Sequence, residues 1–131
     1  MAYRYEVVKV IDNGAFGQVI KCIDMKDPHQ RVVAAKISKN KKFDVDNANV
    51  EIKIVKKLQQ GNRFDNEGKD QLVEFIDSFK FRQHVIMIFE CLSLNLYKYQ
   101  KINKRKRPVF SEEKLRSISR QICQGLKYMK N

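Results

Sequence analysis

The sequence predicts an α+β fold, a five-stranded antiparallel sheet with one long helix over residues 1–91, followed by two further helices over 92–131. Three observations predict it. Short runs rich in β-branched and aromatic residues recur through the first part of the chain. One segment among them changes to a helical period, and beyond residue 92 the helical period takes over.

Taken in order, YRYEVVKVI (3–11) reads as a strand and runs directly into DNGAFGQV (12–19), two glycines three apart around a phenylalanine. QVIKCID (18–24) is similar, giving strand, loop, strand. RVVAAKIS (31–38) follows the turn-prone DPHQ as a third strand, and it holds Lys36 between Ala35 and Ile37. A lysine inside a buried-looking strand calls for a partner. In 46–60, DNANVEIKIVKKLQQ, the residues Ala48, Ile52, Val55 and Leu58 recur at helical spacing, with Gly61 as the stop. Glu51 falls on that apolar face, three residues after Ala48 and four before Val55. Period alone equally allows a glutamate at the stripe's edge, paired with Lys53 or water.

QLVEFIDSFKF (71–81) and HVIMIFE (84–90), joined by the short connection RQ, complete the sheet. CLSLNLYKYQKI (91–102) offers Ser93 as N-cap of a short helix with Leu94, Leu96 and Tyr97 behind it. In SEEKLRSISRQICQGLKYMKN (111–131) Ser111 is the N-cap, Glu112 and Glu113 suit the helix dipole, and Phe110 is placed to staple onto Leu115. Leu115, Ile118, Ile122, Leu126 and Met129 form its apolar stripe.

Composition limits the function classes. A chain of 131 residues with 43% hydrophobic and 32% charged residues, five Gly and two Pro is globular, neither disordered nor fibrous. No stretch approaches the roughly 20 apolar residues that span a bilayer, and MAYRYEVVKV lacks a continuous apolar signal segment. An intracellular protein without membrane contact is expected. Cys22, Cys91 and Cys123 are odd in number, far apart and without CxxC spacing, which supports neither a disulfide framework nor a zinc site. His29 and His84 are equally unclustered and receive no chemistry. The net charge of +12 raises nucleic acid as a partner. The basic residues collect in KNKK (39–42) and QKINKRKR (100–107) without interleaved aromatics to stack on bases, which weighs against it in favour of solvated loops. NKRKRP (103–108) is a weak nuclear-localisation pattern, leaving cytoplasm and nucleus both open.

A glycine-rich hairpin, a strand lysine and an inward helix glutamate together hold a nucleotide: the loop amides cover the phosphates, the lysine bridges them and the glutamate orients the lysine. With these residues in place the sequence resembles a eukaryotic protein kinase. DNGAFGQV resembles GxGxFGxV, VAAK (33–36) resembles VAIK, and Glu51 within VEIKIV falls where the family's helix glutamate belongs. YRYEVVKVI, FGQV, FRQH and FECLSLNLY (89–97) resemble, more narrowly, the dual-specificity tyrosine-regulated kinase family of the CMGC group.

The resemblance covers nearly the whole chain and implies the amino-terminal half of a kinase domain: a protein-kinase-like small lobe over 1–91, then the hinge exit and start of the large lobe over 92–131. It implies transfer of the γ-phosphate of ATP to serine, threonine or tyrosine of protein substrates, with Mg2+. Ile11, Val19 and Ala34 would sandwich the adenine with Phe89 as gatekeeper behind it. Glu90 and Leu92 would supply hinge backbone contacts and Asn95 would lie near the ribose. Gly14, Phe16 and Gly17 belong to the loop over the nucleotide. Lys36 would bind the α and β phosphates with Glu51 orienting it, these two being the catalytic pair. Asp12 stands at the family's first glycine. The catalytic-loop HxD, its asparagine and DFG do not occur, so the Mg2+ ligands are expected beyond Asn131 and the 131 residues by themselves are expected to be inactive. The last helix would then show its stripe to water, and self-association through 111–131 is expected. A catalytically inactive nucleotide-binding or scaffold module is the alternative reading, and a basic nucleic-acid-binding module the second.

Overall fold

The computed structural model describes residues 3–61, 67–105 and 108–130. Lys106 and Arg107 of the basic run lie outside the described residues. The chain forms two compact units, Met1–Gln60 with Val73–Cys91, and Gly61–Leu72 with Leu92–Asn131.

The first unit is an antiparallel sheet of β1 (Tyr5–Gly14), β2 (Gly17–Asp24), β3 (Val32–Ser38), β4 (Phe75–Phe81) and β5 (His84–Glu90), with α1 (Lys42–Gln60) between β3 and β4. The spatial order is β1-β2-β3-β5-β4. Its five strands and long helix are those the sequence predicts. Strand β5 lies between β3 and β4 and is buried on both faces from Val85 to Ile88, which is why HVIMIFE is a continuous apolar run and does not alternate.

The sheet is curled. Tyr5 of β1 and Phe79 of β4, on opposite edges, stack with parallel rings 5.8 Å apart. Inside the curl lie Ile20, Cys22, Val33, Ala35, Ile86 and Ile88. Burial there pushes the Cys22 thiol up, a neutral core residue as its isolated place in the sequence suggests. Because successive strand residues face opposite ways, Ala34 and Lys36 point out of the curl while Val33 and Ala35 point into it.

Helix α1 packs along the outer face. Ala48 is buried, Glu51, Ile52, Val55 and Leu58 are half-buried, and the helix begins at Lys42 rather than 46. Its first turn is secured by backbone bonding, Val45 N–H to Lys41 O at 3.0 Å, with Phe43 exposed, so no apolar period announces it. At the other end Gln59 imitates a strand neighbour. Its Oε1 accepts from Phe75 N–H at 2.8 Å and its Nε2 donates to Phe75 O. That clamp ties α1 to β4 and fixes where Glu51 stands.

Strand β4 starts at Phe75, later than the predicted 71, because Lys69–Gln71 form a single 3₁₀ turn in the second unit. Gly68 leads into it with φ 88°, and a Cβ there would lie 2.2 Å from Gln124 O, so only glycine admits this close approach. The other elements of that unit are α2 (Leu96–Ile102) and α3 (Glu112–Lys130). The α2 cap is Asn95, whose Oδ1 accepts from Lys98 N–H at 2.8 Å, which corrects the expectation of Ser93. Asparagine is as strong a cap as serine and stands immediately before the first helical residue. Ser111 caps α3 as expected, accepting from Lys114 N–H at 3.2 Å, while Phe110 stacks on Tyr99. Gly125 and Tyr128 are the buried residues of α3; Leu115, Ile122, Leu126 and Met129 remain exposed and Ile118 half-buried. Among the described residues no helix is long and apolar enough to cross a membrane.

Candidate functional site

Strands β1 and β2 meet in a hairpin whose last pair is Gly14 opposite Gly17, with Ala15 and Phe16 at the tip. Gly17 has φ 134°, and a Cβ on it would sit 2.0 Å from Ile37 O of β3. This glycine therefore serves backbone packing between strands, whatever else the loop does. Strand β1 is irregular between Val7 and Lys9 and between Val10 and Asp12, so Ile11 leaves the regular register just before the loop. The Asp12 carboxylate accepts from Asn13 N–H at 2.9 Å, a local bond that turns it back on its own backbone.

Across the sheet from the loop, Val19 lies opposite Lys36 and Lys36 opposite Met87. Ala34, two residues back on the same face, lies opposite Phe89. Val19, Ala34, Lys36 and Phe89 thus share one face of the sheet, the face that α1 flanks. Lys36 Nζ donates to Glu51 Oε1 at 2.8 Å and to Oε2 at 2.9 Å. Of the readings that helical period leaves open for Glu51, the structure has the one in which it turns to the sheet. The pair is partly open to solvent.

Residues 5–131 match the protein kinase domain family. The chain belongs to the protein kinase family. Among its relatives, dual specificity tyrosine-phosphorylation-regulated kinase mbk-2 of Caenorhabditis elegans is 45% identical over 104 residues, covering 79% of this chain and 12% of that protein. Dual specificity tyrosine-phosphorylation-regulated kinase 3 of Homo sapiens is 39% identical over 126 residues, 96% of this chain and 20% of that protein. Dual specificity tyrosine-phosphorylation-regulated kinase 2 of Drosophila melanogaster is 37% identical over 133 residues, 100% and 18%. The narrower resemblance to these dual-specificity kinases is borne out. The chain spans about a fifth or less of the length of these relatives.

In this kinase sheet Phe89 packs edge-on against Phe75, ring centroids 5.6 Å apart. Glu90 is tied to the residue preceding β4: its N–H donates to Glu74 O, and its Oε1 accepts from Glu74 N–H, both at 3.0 Å. Arg31 grips Glu74 at 2.7 Å and holds its carboxyl below the usual carboxylate range. Leu92 and Asn95 belong to the second unit, where Leu92 is exposed and Asn95 is the α2 cap.

Residues that sequence reasoning missed surround the kinase ion pair. A cavity of about 100 Å³ is bounded by Phe16, Lys36, Ser38, Asp44, Asn47 and Glu51 over a floor of apolar side chains. Asp44, Asn47, Ala48 and Glu51 lie at helical spacing, a signal present in the sequence but obscured because three of the four are polar. Among the described residues no group of three His, Cys, Asp or Glu is placed to hold a metal ion.

Proposed function

We propose that this chain is the ATP-binding part of a protein kinase that transfers the γ-phosphate of ATP to serine, threonine or tyrosine hydroxyls of proteins. The observation that carries this reading is the Lys36–Glu51 pair beside the glycine hairpin. Two of the three ammonium donors go to the carboxylate, which keeps Lys36 in place and leaves one direction for the α and β phosphates. Ile11, Val19 and Ala34 line the adenine position with Phe89 behind it. Glu90 and Leu92 offer backbone groups to the base, and Asn95 is assigned to the ribose side. The loop that carries Gly14, Phe16 and Gly17 covers the phosphates through its backbone amides. Phosphoryl transfer also needs a positioned hydroxyl and held magnesium. The chain contains no His-x-Asp and no Asp-Phe-Gly, so nucleotide binding without transfer is expected of these 131 residues, the Mg2+ ligands being supplied from outside them.

Lys36→Met removes a charge-assisted bond to phosphate and is expected to weaken ATP binding by about tenfold to a hundredfold. Isothermal titration with ATP checks this. Unchanged affinity in a folded variant would end this reading.

A second reading, a nucleotide-binding scaffold without catalysis, is favoured by Asp12, an acidic residue at the position of the family's first glycine, whose charge opposes that of a phosphate. Phosphotransfer by a longer chain that includes this sequence would sink it.

Self-association through 111–131 belongs to the same proposal. Each exposed side chain of the α3 stripe gains roughly 1.5–3 kcal/mol on burial. Light scattering is expected to give concentration-dependent dimers or larger species, reduced by Ile122→Glu with Leu126→Glu. A monodisperse monomer would contradict this.

A further inference from the structure

The phenylalanine at the hairpin tip turns inward. One edge of the Phe16 ring lies against Gly14, where an added Cβ would come 2.8 Å from Phe16 Cε1. Lys36 Nζ stands over the ring, 5.3 Å from its centroid. The same ring closes the cavity walled by Lys36, Asp44, Asn47 and Glu51. A single side chain thus touches the loop's own glycine, covers the ammonium and lines the cavity on which α1 looks out. With Glu51 holding two of the ammonium's donors, the ring covers part of the approach that remains, the Lys36 side chain staying 29% exposed. An ammonium over an aromatic face is held electrostatically. A phosphate oxygen needs the same ammonium.

We propose that Phe16 is a self-occluding cap, which competes with the phosphates of a nucleotide for Lys36 and must swing out before they bind. This rests on the reading of Lys36 as the phosphate-binding lysine and deepens it. The ring sets the fraction of molecules that are open, and apparent affinity falls by that fraction. The cap therefore acts on ligands that carry phosphate and leaves a bare nucleoside untouched. Selectivity between adenosine and ATP becomes partly a property of residue 16.

The chain has no tryptophan, so Phe16→Trp places a single indole at the cap. Titrations of the full chain with ATP, ADP and adenosine are compared for wild type, Phe16→Ala, Phe16→Trp and Lys36→Met, with circular dichroism as the folding check. Phe16→Ala is expected to bind ATP and ADP about two- to fivefold more tightly, the equivalent of an exposed cation–π contact, with adenosine unchanged. The Phe16→Trp indole is expected to shift to the red with ATP and to stay put with adenosine. Should Phe16→Ala fail to fold, Phe16→Leu keeps the bulk, lacks the aromatic face and is expected to show the same direction. Equal or weaker ATP binding by the folded Ala or Leu variant, or an indole unmoved at saturating ATP, overturns the cap. If wild type binds ATP and Lys36→Met does not, that failure is the cap's alone. If no protein binds ATP, or Lys36→Met binds it as wild type does, the phosphate reading fails and takes the cap with it.

Discussion

Gly17→Ala is expected to destabilise the first unit by about 3 kcal/mol or more, seen as a large fall in the urea midpoint. Two costs act together. The residue holds φ 134°, a conformation that side chains rarely adopt, and its Cβ would meet Ile37 O at 2.0 Å. That oxygen belongs to the backbone of β3, so relief requires β2 and β3 to separate near the pair Gly17 and Ser38. Gly14→Ala provides the contrast. Its Cβ meets the far end of the Phe16 side chain at 2.8 Å, and that ring can rotate away. The Gly14 variant is therefore expected to lose much less stability. Equal losses for the two glycines would refute the assignment of Gly17 to strand packing.

Arg4→Met is expected to cost about 2–3 kcal/mol, because it strands a carboxylate that water hardly reaches. Asp24 is 5% exposed, and Arg4 donates to it from Nε and from a terminal nitrogen at 2.9 Å each. Lys26 N–H adds a third bond at 3.1 Å. Arg4 itself is 36% exposed, so Asp24→Asn leaves the guanidinium wet and is expected to cost less. The double variant Arg4→Met with Asp24→Asn is expected to recover part of the Arg4→Met loss. The side-chain bond from Arg4 is the main reason the Asp24 carboxyl titrates below its ordinary range. A depressed carboxyl stabilises the fold above its unfolded value, near 3.9, and the contribution is lost as pH falls from there through the lower folded value. Wild type is thus expected to lose stability between about pH 5 and 2 more steeply than Arg4→Met. Parallel profiles in chemical denaturation across that window would remove the electrostatic account.

The sheet, the long helix and the last helix were legible because each carries a period that burial enforces. Lys36 and Glu51 were legible for the opposite reason, as charges standing where the period demands apolar residues. The first turn of α1 was not legible, since Lys42 and Phe43 are held by backbone bonding and bury nothing. Nor was the cap of α2, where Ser93 and Asn95 are both suitable residues and only the backbone path chooses between them. The β4–β5 turn has Arg82 and Gln83 at positive φ, residues with no special tolerance for it, so FRQH announced a connection by its shortness alone. The curl of the sheet, the Gln59 clamp and the Arg4–Asp24 fork depend on contacts between distant segments, and no local pattern encodes them. The Phe16 cap belongs with these. The loop motif places an aromatic at the tip without saying which way it faces.

The strand order carries a consequence for the birth of the molecule. β3 pairs with β5 rather than with β4, so its open edge waits while α1, the 3₁₀ turn and β4 leave the ribosome. Before β5 emerges, the β1–β2–β3 meander is the part of the sheet that can assemble. Until residue 84 and those after it emerge, the nascent chain exposes an unsatisfied edge along Val33 to Ile37, the most apolar strand then available. The ion pair at Lys36 meanwhile has its glutamate on a helix with no β4 to tie it down. Synthesis speed across this stretch, and any chaperone that shields a bare strand, therefore bear on how much of the chain reaches the folded state.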